Sequence, residues 1–111
     1  MISVIFLNLG DKADMIARAE AAFAALAAGA GYLRGSLARS TDDPQDLDYD
    51  WVLVTEWRDI GSYRRALGAY DVKVTLPLLR IASTPGLSTS FEELVTIGPD
   101  GAVRRYESDL A

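Results

Sequence analysis

Trp51-Val52-Leu53-Val54-Thr55-Glu56-Trp57, followed at once by Arg58-Asp59, is the stretch that decides the fold. Seven residues rich in β-branched and aromatic side chains read as a strand. One parity holds Trp51, Leu53, Thr55 and Trp57, and the other holds Val52, Val54 and Glu56. Both parities are largely apolar, which predicts a strand covered on both faces. Arg58-Asp59 then turns the chain into a helix with Asp59 as its cap and Tyr63, Ala66, Leu67 and Tyr70 along one side.

Upstream, Ile2 to Leu9 is a second strand apolar on both parities, closed by Gly10-Asp11. Asp11 reads as the N-cap of an alanine-rich helix over Lys12–Ala28, with Asp14 suited to the positive end of the helix dipole. Met15, Ile16, Ala19, Ala22, Phe23 and Leu26 fall on one face, and Gly29 and Gly31 stop the helix. Tyr32 to Ser40 is a strand with Leu33, Gly35 and Leu37 on one face and Arg34, Ser36 and Ala38 on the other. The loop from Thr41 to Asp50 carries five aspartates and a proline, and the spacing lacks the glycine and glutamate of an EF-hand. It reads as a solvated connection, the natural partner for Arg34 and Arg39.

Downstream, a second helical piece starts near Asp71 and should break at Pro77. Leu87 to Ile97 returns to strand character. Gly98-Pro99-Asp100-Gly101 is a turn, and residues 102–111 form a short strand through Val103 and Tyr106 or a loose tail. Residues 1–97 therefore make one domain, with 98–111 as an appendage.

Composition narrows the chemistry. The chain has 111 residues, no cysteine and no histidine, and a net charge of −5. Without these side chains there is no disulfide framework, thiol nucleophile, histidine-held haem or Ser-His-Asp hydrolysis. The acidic balance argues against a nucleic acid partner. Met1 to Leu9 is too short and lacks the basic flank of a secretion signal, and no run is long enough to span a membrane. A cytoplasmic protein is the expectation.

The order strand, helix, strand, strand, helix, strand is the ferredoxin-like βαββαβ arrangement: an α+β antiparallel sheet with helices on one face. Because the strands are apolar on both parities, the other face needs a cover, and a homodimer with facing sheets supplies one. A small molecule would sit between sheet and helices or between sheets. Phe6 and Phe91, on the strands, are candidate substrate-binding residues. Asn8 is the one strongly polar side chain of the first strand, either bonded to backbone or turned into the cavity. Arg80 is a candidate contact for a bound anion, or a solvated helix charge.

The stretch Thr55-Glu56-Trp57-Arg58-Asp59 into Ser62-Tyr63, followed by Leu76-Pro77-Leu78-Leu79, resembles the antibiotic biosynthesis monooxygenase-like group of the dimeric α+β barrel superfamily. Gly31-Tyr32-Leu33, opening the second strand, adds to the likeness. The resemblance implies a homodimeric barrel with one cavity per protomer. Some members oxidise aromatic polyketides with dioxygen and need neither metal nor flavin, so no cofactor is expected. In those members a tryptophan ending the third strand and a tyrosine on the following helix are the implicated residues, and they match Trp57 and Tyr63, the candidate catalytic pair. The alternative for both is core packing. The family's asparagine four positions before the tryptophan is replaced by Leu53. A haem-degrading branch uses a histidine and a helix tryptophan, where this chain has no histidine and Ala66. The rival reading is a non-catalytic ligand-binding or interaction domain of the same fold.

Overall fold

Antiparallel pairing of β1 (Ile2–Leu7) with β3 (Trp51–Trp57) forms the centre of the sheet, with Ile2 opposite Glu56 and Leu7 opposite Trp51. The computed structural model describes residues 1–42, 48–79 and 89–108. β2 (Tyr32–Arg39) pairs with the other side of β3, and β4 (Thr89–Phe91) with the other side of β1. The order β2-β3-β1-β4, antiparallel throughout, is that of the ferredoxin-like fold. α1 (Ala13–Ala27) lies against β2 and against α3 (Tyr70–Thr75), while α2 (Ile60–Leu67) follows β3 directly.

Alternation along the strands shows where the core sits. Ser3, Ile5 and Leu7 on β1 and Leu53, Thr55 and Trp57 on β3 are buried beneath the helices. They meet Ala19, Ala22 and Leu26 of α1, Ala66 of α2 and Val72 of α3. Removing a leucine such as Leu7 or Leu26 from water contributes about 1.5–3 kcal/mol. Ile2, Val4, Phe6, Val52 and Val54 point the other way and are only half-buried. No helix among the described residues is long and apolar enough to cross a membrane.

Several local expectations are corrected. The N-cap position of α1 is Lys12, with no side-chain cap, and Asp11 instead meets Arg39 at 3.3 Å on the surface. The chain is turned there by Asp50, whose carboxylate accepts the amides of Leu9 (2.8 Å) and Gly10 (2.7 Å). Arg34 pairs with its cross-strand neighbour Glu56 at 3.3 Å, and no ion pair joins it to the described residues of the acidic loop. A bulge between Tyr32 and Arg34 places Tyr32 opposite Trp57 and leaves Leu33 64% exposed, apart from Gly35 and Leu37, with which the alternation groups it. Tyr70 opens α3 on its exposed side and does not extend the buried stripe of α2, because Gly68 ends that helix. Asp59 does cap α2, accepting the amide of Ser62 at 2.7 Å, and the break at Pro77 appears as a 3-10 turn over Leu76–Leu78.

The strand expected over Leu87–Ile97 is split, and residues 80–88 lie outside the described segments. Ile2 opposite Phe91 is the last pair that β1 can offer, since β1 begins there. Past Phe91 the chain finds a different partner: β5 (Val95–Ile97) pairs with β6 (Val103–Arg105) in a separate hairpin. Its turn is held by the amide of Gly98 on the Ala102 carbonyl (2.9 Å) and by Asp100 accepting the Ala102 amide (2.9 Å).

Candidate functional site

Trp57 closes β3 on the helix-covered side and is 1% exposed. Its indole N–H donates to Thr55 Oγ1 at 2.8 Å, which satisfies both buried polar groups within one strand. Tyr63 reaches it from the first turns of α2, with ring centroids 5.5 Å apart at 54°. Tyr32 packs on Trp57 at 5.5 Å and 77°, and Phe23 of α1 continues the series at 6.5 Å from Tyr32. These are the tilted and edge-on arrangements that aromatic quadrupoles favour. Aromatic rings thus reach Trp57 from β2 and α2, with α1 backing Tyr32, and Tyr63 makes no side-chain hydrogen bond to any described residue.

Gly35 makes room for this cluster, and Gly31 for Ser62 of α2. At Gly35 a methyl group would lie 2.9 Å from both the Tyr32 hydroxyl and Phe23 Cε1, and 2.7 Å from the Val54 carbonyl. At Gly31, φ is +89° and a methyl group would run into Ser62 Oγ, so both conformation and close approach require glycine.

Beside the cluster lies a cavity of about 330 Å³, near the lower end of the range for small-molecule sites. It is lined by Met1, Leu33, Arg58, Asp59 and Ile60 together with Glu92, Glu93, Tyr106 and Glu107. Trp57 borders this space while staying almost fully covered, so the indole supports the wall more than it faces the opening. The Ser62 hydrogen bonds, through its amide and its hydroxyl, hold the Asp59 carboxyl below its usual range, assisted by the charges of Arg58 and Arg65.

The predicted site residues do not all meet. Trp57 and Tyr63 are in contact on the covered side of the sheet. Phe6, opposite Val52, and Phe91, opposite Ile2, belong to the uncovered side. Phe6 stacks on Tyr49 at 4.5 Å, and Phe91 is 53% exposed. Asn8 is exposed past the end of β1, where its amide donates to the Asp48 carbonyl at 3.3 Å. Arg80 lies outside the described residues. Sequence reasoning missed Tyr32 and Thr55 as members of the cluster. Period-two alternation alone puts Thr55 with Trp57, whereas the bulge that turns Tyr32 inward leaves no local sign.

The fold and the buried aromatic group define an antiparallel α+β domain of ferredoxin-like topology. No family model matches the sequence, and no curated protein does. Among solved structures, the chain is similar to SnoaB, a cofactor-independent oxygenase from Streptomyces nogalater, with 25% identity, a TM-score of 0.54, and 70% of this chain and 79% of that one covered. A mutant of the same oxygenase gives 23% identity and a TM-score of 0.54 over 79% of this chain and 80% of that one. A conserved protein from Methanosarcina mazei Go1 is similar in fold, with 13% identity and a TM-score of 0.54 over 69% and 72%.

Proposed function

We propose that the protein is a cofactor-independent oxygenase of the antibiotic biosynthesis monooxygenase-like group, acting on an aromatic, polyketide-like small molecule. The observation that carries this reading is the Tyr32–Trp57–Tyr63 cluster on the covered side of the sheet, in a fold similar to that of a cofactor-independent oxygenase. In such a reaction the substrate supplies the electrons. A deprotonated phenol passes one electron to dioxygen, the radical pair combines at a ring carbon, and the hydroperoxide loses water to leave a ketone. One dioxygen is consumed and one water released, with no outside reductant.

The protein's part is to exclude water, hold the anion and donate hydrogen bonds. Trp57 has already given its N–H to Thr55, so in this reading it fixes the position of Tyr63, whose hydroxyl is the donor to substrate. The test is aerobic against anaerobic incubation with an anthrone-type phenol, following oxygen uptake and ketone formation. One dioxygen per ketone, and a loss of at least tenfold in Tyr63→Phe, are expected. Equal turnover without oxygen, or an unaffected Tyr63→Phe, would refute it.

One observation favours a second reading, a ligand-binding domain without chemistry. Leu53, standing where the oxygenases of this group have an asparagine, is 1% exposed in the apolar core and offers no polar contact. A phenol that raises the melting temperature and is recovered unchanged under air would select this reading.

A further inference from the structure

Tyr32 is brought into the aromatic cluster by an irregularity of its strand. Register sets it opposite Trp57, and the bulge at Leu33 separates it from the regular alternation of β2. Bulges re-aim single side chains and are frequent beside active sites. The ring packs between Phe23 and Trp57, yet its hydroxyl makes no hydrogen bond to any described residue. A tyrosine hydroxyl turned into a protein ordinarily finds a partner. The polar groups around it have theirs: the Trp57 indole is on Thr55, and Ser62 is held by Asp59 and Arg65. No polar side-chain atom among the described residues is both buried and unpartnered, so the half-buried Tyr32 keeps its hydroxyl open to an entering molecule.

Gly35 is an independent sign. Its φ is not positive, so conformation does not call for glycine there, and space does. A methyl group would lie 2.9 Å from the Tyr32 hydroxyl and from Phe23 Cε1, and 2.7 Å from the Val54 carbonyl. The missing side chain leaves the hydroxyl room. From the bulge, the unpartnered hydroxyl and the glycine beside it, we infer that Tyr32 is a second substrate-contacting residue. Its hydroxyl donates a hydrogen bond to a ligand oxygen other than the one that Tyr63 meets. Tyr63 and Tyr32 approach the same indole from α2 and β2, each with centroids 5.5 Å away. A ligand that meets both therefore carries oxygen substituents at separate positions of a fused aromatic system. This inference deepens the oxygenase reading and rests on its assignment of Tyr63 to the substrate.

The experiment compares naphthalene-2,6-diol with 2-naphthol by calorimetric titration in the absence of dioxygen, for the native protein and for Tyr32→Phe. That variant keeps the ring and its packing, and circular dichroism melts check its fold. The native protein should bind the diol about fivefold more tightly than the naphthol, the worth of one hydrogen bond. Tyr32→Phe should erase this preference and leave the affinity for 2-naphthol unchanged. The comparison of ligands on the native protein needs no variant and tests the two-oxygen requirement alone. Equal affinities in the native protein, no binding of the diol, or a preference that persists in Tyr32→Phe would each overturn the proposal. Because no dioxygen is present, a diol preference without oxygen uptake in air would sink the oxygenase reading alone. Oxygen uptake without the preference would sink this one alone.

Discussion

The bond from the Trp57 indole to the Thr55 hydroxyl lies in a part of the core where neither group has water as a substitute. Thr55→Val keeps the volume and strands the indole N–H, at a cost of about 1–3 kcal/mol in a urea titration. Thr55→Ser should restore most of it. Gly35→Ala forces a methyl group against backbone and two rings, so it should destabilise even though alanine is the less flexible residue. At Asp59 the sign follows from its lowered titration. The cap's contribution is fully present above the ordinary value of 3.8 and vanishes as pH falls through the lower folded value. Asp59→Asn retains the acceptor for Ser62 and loses the charge. Thermal melts through this acid range should show a shallower decline for the variant than for the native protein.

Among the elements, those announced by local signals were legible. The strand over Trp51–Trp57, the helix begun by Asp59 and the break at Pro77 each depend on residues within a few positions of one another. The adjacency of Trp57 and Tyr63 was legible for the same reason, being set by one turn between strand and helix. What escaped depends on distant partners: the bulge at Leu33 answers to β3, and the end of β4 answers to where β1 begins. Likewise, Phe6 and Phe91 are separated from Trp57 by strand register, which no local pattern encodes. Asp50 is another long-range case, 40 and 41 residues from the amides it clamps. Asp50→Ala should loosen the turn between β1 and α1, lowering stability by about 1–3 kcal/mol and speeding exchange of the Leu9 amide.

For the whole molecule, the sheet face of Ile2, Val4, Val52 and Val54 is only half-buried, and the homodimer expected from the sequence would tie folding to concentration. Melting temperature should then rise with protein concentration across the micromolar range, and Val54→Glu should abolish that dependence. A fixed melting temperature in the native protein would contradict that expectation.

The sheet also has two rims. On one of them β2 is kinked at Leu33 and carries Arg34 and Arg39. A kink and positive charge are among the devices by which natural proteins keep stray strands from adding to a sheet. That rim is therefore guarded against fibril growth, and straightening β2 by deleting Leu33 should leave it prone to amyloid.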